Sequence, residues 1–294
     1  MMATILTLAA NAKINIGLRI VGRREFSSSL DRRSGIYHLL HTLFQEITFG
    51  DTLTLTPRSD KRLTLAVSGP AASQVPGDES NLCLQAANLL RSEAGYSGGV
   101  HIELEKRVPP GSGLGGGSSD AAAVLKGLNE LWELHLSLDL LEVVAVGLGA
   151  DVPYFIRGGL QLGEGIGDRL TALPPLPELT VALVLSDHHI DTAWAYGQFS
   201  DRNTFPPPPG FDGLLDGEAT DWPAFGNDFE EVVFPRYPDL QEIKAALLET
   251  GAVYAGLSGS GSAVAGLFTG PLDEAALAAA VPSGKFIICG LAGG

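Results

Sequence analysis

The sequence predicts a mixed α/β fold of the α+β type, and three features lead there. A glycine- and serine-rich stretch, residues 109–123, stands between an alternating strand pattern and an alanine-led helix pattern. The second half alternates short apolar runs with segments of helical period and closes on a β-α-β arrangement. The chain has 294 residues, 45% apolar and 18% charged, enough for a sizeable core in one large domain or two moderate ones.

From the N-terminus, residues 3–10 and 14–21 are β-branched or apolar and read as two strands. Between them lie Asn11, Lys13 and Asn15, which by spacing favour a solvated hairpin turn. Residues 22–34 are charged and serine-rich and read as a mobile surface loop. Gly35-Ile36-Tyr37-His38 then leads into an apolar segment that runs to Phe49. Residues 51–56 and 62–68 alternate and predict an antiparallel pair. Residues 80–94 have helical period, with Leu82, Ala86, Leu89 and Leu90 on one face. Residues 100–108 alternate into the glycine stretch, and the helix beyond it runs to about Leu134. A second helix covers 138–148 and ends at Gly149.

In the second half, strands are expected near Leu160 and over 180–186, and a helix starts at Asp191 or Thr192. Residues 200–224, rich in proline, glycine and acid, read as a long loop. Helices follow from Asn227 and over 238–250, and a second small-residue loop spans 254–263 between apolar strands. The chain closes with a helix at 272–280 and a strand at 285–289.

The formal charge of −15 argues against nucleic acid and anionic membranes as partners. No apolar run approaches a membrane span, and the short apolar start is followed, not preceded, by Lys13, unlike a secretory signal. Two distant cysteines, Cys83 and Cys289, point away from disulfides and zinc and toward a reducing cytoplasm. The six histidines form no metal constellation, and His188-His189 reads as surface.

The glycine stretch carries the chemistry. Five glycines fall within the seven positions 111–117, followed by Ser118, Ser119 and Asp120 and then three alanines. Glycines admit close backbone approach, and Ser119 or Asp120 can cap the helix that follows. Such a turn aims unpaired N–H groups and a helix N-terminus at one point, which suits phosphate. Gly111-x-Gly113-x-x-Gly116 matches a dinucleotide fingerprint, yet helix follows where that fold needs a strand ending in an acid. A P-loop lysine is missing, as are the signature motifs of protein kinases. A bare linker would not be flanked so closely by a strand and a helix cap. Asp151 is the second informative residue. It lies in the apolar context Gly149-Ala150-Asp151-Val152-Pro153, where it can cap a turn or act as a base.

Taken in this order, the stretches resemble the GHMP kinases, the galactokinase, homoserine kinase, mevalonate kinase and phosphomevalonate kinase superfamily. Residues 109–123 resemble that family's P-x-x-x-G-L-G-S/G-S-S loop for ATP. Ala12-Lys13-Ile14-Asn15, Gly35-Ile36-Tyr37-His38, Leu148-Gly149-Ala150-Asp151-Val152-Pro153, Asn227-Asp228-Phe229-Glu230 and residues 256–263 resemble motifs of its branch acting on a diphosphocytidyl methylerythritol in the non-mevalonate isoprenoid pathway. In two places the chain departs from the pattern. Gly35 and Ile36 stand where that branch has Asp-Gly, after a longer arm, and position 120 is Asp where Asn is also common.

The resemblance implies a two-domain GHMP kinase fold, residues 1–158 and 159–294, with the active site in the interdomain cleft. It implies Lys13 and Asp151 as catalytic residues, Asp151 taking the hydroxyl proton and Lys13 keeping it ionised. It implies ATP at Pro109, Gly111, Gly113, Leu114, Gly115, Gly116, Gly117, Ser118 and Ser119, and the acceptor at Asn15, Tyr37, His38, Thr192 and Tyr196. Mg²⁺ is expected with ATP, with Ser118, Ser119 and Asp120 nearest to it and no residue assigned as its ligand, in a cytoplasmic monomer or homodimer. A β-carbon at Gly115 or Gly116 is expected to weaken ATP binding and spare folding. The alternatives are another small-alcohol kinase, for homoserine or mevalonate, and a non-catalytic sensor on the same scaffold. The presence of both Lys13 and Asp151 counts against the sensor.

Overall fold

The computed structural model describes residues 5–26, 35–205, 207, 208, 210, 222–281 and 285–293. Its contacts divide the chain into two compact units. The first comprises residues 1–12, 48–110 and 115–158, and the second 13–47, 111–114 and 159–294.

Two long strands serve both units. β1 (Leu6–Phe26) is continuous over 21 residues, so the expected hairpin turn at Lys13 does not form. Asn15 and Lys13 are buried within the strand instead, which is possible because their polar groups find partners far away in sequence. The strand also takes in residues 22–26, expected as loop; 27–34 lie outside the described residues. β2 (Gly35–Arg58) pairs with β1.

In the first unit, residues 52–58 of β2 pair antiparallel with β4 (Gly99–Glu105), and β3 (Leu63–Ser68) pairs parallel with β4 on its other side. The expected hairpin of residues 51–56 with 62–68 is therefore split by β4. Parallel neighbours need a crossover, and α1 (Leu82–Glu93) supplies it between β3 and β4. The Asn81 side chain caps α1 by accepting from the Cys83 N–H, and Cys83, Ala86, Ala87 and Leu90 form its buried face. α2 (Gly116–Leu131) packs on α1. α3 (Leu138–Ala145), capped by Ser137, and α4 (Val152–Arg157) complete the unit.

In the second unit, residues 40–45 of β2 pair antiparallel with β5 (Leu160–Gly165), which pairs with β6 (Arg169–Ala172). A four-stranded antiparallel sheet has the order β10-β7-β9-β8: β7 (Thr180–Val184), β8 (Tyr254–Leu257), β9 (Val264–Phe268) and β10 (Ile287–Gly290). The helices are α5 (Thr192–Gly197), α6 (Glu230–Val233), α7 (Pro238–Glu249) and α8 (Glu274–Ala280). The closing β9-α8-β10 unit is a split one, since both strands run antiparallel to β7, which lies between them. Its core gathers Leu18, Ile20, Val184, Phe229, Leu240, Leu247 and Val264. Of the long loop expected over 200–224, residues 206, 209 and 211–221 lie outside the described residues.

Candidate active site

The second unit assembles three of the sequence motifs around one lysine. Lys13 is 4% exposed, and its Nζ donates to Asn15 Oδ1 at 2.5 Å and to the Gly113 carbonyl at 2.7 Å. Asn15 Oδ1 also accepts from the Gly259 N–H at 2.9 Å, while its Nδ2 donates to Thr42 Oγ1 at 2.9 Å. Thr42 in turn donates to the Gly17 carbonyl at 2.6 Å. Both ends of the Asn15 amide are thus fixed, and the amide orients Lys13. The Gly113 carbonyl accepts a second bond from Ser258 Oγ at 2.8 Å. Backbone bonds from Lys13 N to Leu114 O and from Ala263 N to Ser112 O, each 3.0 Å, lace residues 112–114 between β1 and the 256–263 stretch.

This close lacing explains the glycine at 113. A Cβ there would lie 1.9 Å from the Ser258 carbonyl oxygen, and φ is +78°. Asn227 steadies the same stretch by donating to the Leu257 and Gly259 carbonyls at 2.9 and 2.7 Å. Thr42 carried no signal in the sequence; Asn227 and Ser258 had one only through their motifs, residues 227–230 and 256–263, which did not assign either a role. His189, read as surface, is exposed but lies against Gly111, where a Cβ would meet Nδ1 at 2.7 Å.

Four acceptor-side candidates also lie in this unit. His38 and Tyr196 stack, with ring centroids 5.2 Å apart and an interplanar angle of 20°. The His38 ring is hydrogen-bonded to the Phe199 backbone, and its buried Nε2 has no hydrogen-bond partner among the described residues. A carbonyl partner fixes the proton on Nδ1 and leaves Nε2 as a lone-pair acceptor. Burial is the larger influence and holds the imidazole below its ordinary pKa, so the neutral ring is favoured. Tyr196 packs edge-on against Phe229 at 4.9 Å. Tyr37, beside His38, is half-buried. Thr192 opens α5, and its Oγ1 lies 3.0 Å from Ser260 Oγ.

The first unit holds the helical end of the glycine stretch. α2 begins at Gly116 after Gly115, whose φ of +70° and ψ of +19° are left-handed. No side chain caps this helix. Neither Ser119 nor Asp120 serves as the expected cap: both lie inside the helix, with Ser119 Oγ donating to the Asn11 carbonyl and Asp120 accepting from Lys106. The first-turn N–H groups therefore keep their need for an acceptor, and a phosphate meets it. Half-buried Ser118 and exposed Gly117 lie on this turn. Pro109 follows β4 at the start of the stretch. Gly116 differs from Gly117. A Cβ at 116 would fall 2.8 Å from Val108 Cγ1 and 3.0 Å from Lys106 Nζ, so its glycine serves packing and the expectation that substitution there spares folding does not hold. A Cβ at 117 would meet only Leu82 Cδ1, at 3.5 Å. Asp151 is the N-cap residue of α4, with φ −87° and ψ −14° and no capping bond from its carboxylate. The capping role open to it in sequence is positional only.

Among the described residues no group of three His, Cys, Asp or Glu side chains could hold a metal ion, and no helix is long and apolar enough to cross a membrane.

Comparison with known proteins gives the family. The family model described as GHMP kinases N terminal domain matches residues 81–159, and GHMP kinases C terminal matches 217–286. A 4-diphosphocytidyl-2-C-methyl-D-erythritol kinase of Chlorobium limicola is 46% identical over 262 residues, covering 87% of this chain and 86% of the relative. That of Prosthecochloris aestuarii is 42% identical over 277 residues, covering 91% of each. The crystal structure of a 4-(cytidine 5'-diphospho)-2C-methyl-D-erythritol kinase superposes with a TM-score of 0.80 at 34% identity, covering 98% of this chain and 100% of that one. A homoserine kinase from Cytophaga hutchinsonii shares the fold, with a TM-score of 0.69 at 19% identity over 99% of this chain and 96% of that one. The chain belongs to the GHMP kinases, in the family of the 4-diphosphocytidyl-2-C-methyl-D-erythritol kinases.

Proposed function

We propose that the protein transfers the γ-phosphoryl group of ATP to the 2-hydroxyl of 4-diphosphocytidyl-2-C-methyl-D-erythritol. The observation that carries the acceptor's identity is His38. A neutral imidazole with a buried, unfilled Nε2 acceptor, packed on an aromatic face, suits a flat base that presents an amino donor. Cytosine has such an edge. Homoserine and mevalonate offer neither a π-face nor that edge.

ATP places its phosphates on the uncapped N-terminus of α2 in this reading. Asp151 accepts the proton of the attacking hydroxyl. Lys13, oriented by Asn15 and the Gly113 carbonyl, offsets charge on the transferring group. Phosphoryl transfer asks little covalent chemistry of a protein, so positioning and charge carry the rate. Mg²⁺ bound with ATP would supply charge neutralisation at the phosphates, and among the described residues no cluster of three His, Cys, Asp or Glu side chains would hold it by itself.

The test is a coupled ATPase assay with a panel of alcohols. Turnover with the diphosphocytidyl substrate, competition by CDP and weaker competition by CMP are expected. Ready phosphorylation of homoserine or mevalonate without competition by millimolar CDP would leave only the superfamily reading.

A further inference from the structure

Beneath the N-terminal turn of α2 the first unit buries three charged side chains. Lys106 Nζ bonds Asp51 Oδ2, and it donates to Asp120 Oδ2 at 2.7 Å. The side chains of Lys106, Asp51 and Asp120 are 2%, 0% and 4% exposed. Two carboxylates against one ammonium would leave a net negative charge in the core, a costly state that one proton relieves.

The donors decide which carboxyl holds that proton. Asp51 accepts from Lys106 and, through Oδ1, from the Arg107 and Val108 N–H groups at 2.5 and 2.8 Å, so it is well served as an anion. Asp120 accepts from Lys106 as its one nitrogen donor and also lies within hydrogen-bond range of the Asp51 carboxyl, a contact that only a proton makes favourable, and its Oδ1 is buried with no partner among the described residues. The other titratable group against the cluster is Cys83 of α1, whose thiol burial pushes well up and keeps neutral. Lys106 meanwhile lies so near Gly116 that a Cβ there would be 3.0 Å from Nζ. The cluster is the floor of the turn to which the triphosphate is assigned.

We propose that Asp120 is a positioning residue held as the neutral acid, so that the floor of the α2 turn carries no net negative charge when ATP binds. The inference rests on the ATP reading above. Burial and the neighbouring Asp51 act against Lys106 to push the Asp120 carboxyl up to about 7, in line with the donor count. Above that pH the floor becomes anionic and repels phosphate. Like unit charges roughly 10 Å apart at an effective permittivity near 20 repel enough to weaken binding about tenfold.

Two measurements test this with the full-length protein and Asp120→Asn, which mimics the neutral acid in shape and charge. The first is an infrared difference spectrum, wild type minus D120N, below pH 7 and without ATP. A carbonyl band of a protonated carboxylic acid that D120N lacks is expected, and no such band would overturn the proposal. Its thermodynamic counterpart has the same sign: the native state keeps a proton that the unfolded chain gives up in the ordinary carboxylate range. The Tm of wild type relative to D120N should then fall from that range up to about pH 7 and level off above it. The second measurement is the ATP KM ratio of wild type to D120N across pH. It should rise about tenfold through pH 7 while the kcat ratio stays flat. A flat KM ratio alongside tight ATP binding would refute the positioning role. If the ATP reading itself is at fault, ATP fails to bind at every pH while the infrared band persists.

Discussion

Gly117 offers a clean test of where ATP lies, because nothing in the protein's own packing requires a glycine there. It occupies the second position of α2, is exposed, and has no left-handed φ. An added Cβ would meet one atom, Leu82 Cδ1, at an ordinary van der Waals distance of 3.5 Å. Gly117→Ala removes backbone entropy from the unfolded chain and improves helix propensity, so stability should rise by about 0.5–1 kcal/mol. If a phosphate rests on this turn, the same methyl stands between the N–H groups and the anion. Losing one charge-assisted hydrogen bond costs about 1.5–3 kcal/mol. That corresponds to a rise of about ten- to a hundredfold in ATP KM. The acceptor KM should barely move.

The assay pairs a thermal melt with initial rates under varied ATP, and Gly116→Ala is the counterpart. At 116 the Cβ would press on Val108 and Lys106, and overpacking of this kind costs about 1–3 kcal/mol. G116A should therefore lose stability whether or not ATP binds nearby. A G117A protein that melts higher than wild type and keeps the wild-type ATP KM would move the phosphates off this turn.

Three further outcomes follow from the site. Gly113→Ala drives a methyl into the Ser258 carbonyl and disturbs the oxygen that Lys13 and Ser258 share; denaturant melts should show a loss of about 3 kcal/mol or more, and a wild-type midpoint would contradict the lacing. Under the proposed roles, Asp151→Asn and Lys13→Ala should each lower kcat by roughly 10²–10³, and the double variant should lose far less than their product; multiplicative losses in the double-mutant cycle would show that the two act independently. Because burial holds His38 below its ordinary pKa, its Nε2 acceptor should survive to mildly acidic pH and vanish below, so acceptor KM should climb on acidification while His38→Ala flattens that rise; an ATP KM that climbs instead would misplace the residue.

The starts of α1, α3 and α5 were legible because their caps are local, whereas α2, expected to be capped by Ser119 or Asp120, opens without a side-chain cap. Asn81, Ser137 and Asp191 each accept a backbone N–H two or three residues ahead, an interaction visible within a few letters of sequence. What local reading missed depends on distant partners. Lys13 and Asn15 looked like a turn because polar residues interrupted an apolar run, yet they bond groups 100 and 244 positions away. The pairing of β2 with β3 failed for the same reason, since β4 enters between them only after α1 has crossed over. Lys106 read as an ordinary strand residue; its meaning lies with carboxylates at 51 and 120. The motif of residues 35–38 pointed to His38, but not to the Phe199 backbone bond that fixes its tautomer.

The glycine stretch shows why a motif can be so dense without being redundant. Gly113 lets two backbones close to hydrogen-bonding range, and Gly115 supplies the left-handed step that opens α2 without a side-chain cap. Gly116 makes room for Val108 and Lys106, and Gly117 alone has room for a methyl. The first three are answerable to the fold, and each substitution there confounds folding with binding. A loss of ATP affinity at Gly113, Gly115 or Gly116 therefore says little about phosphate. Only at Gly117 do the two demands separate, so that one alanine raises stability and lowers affinity if the ligand is there, and raises stability alone if it is not.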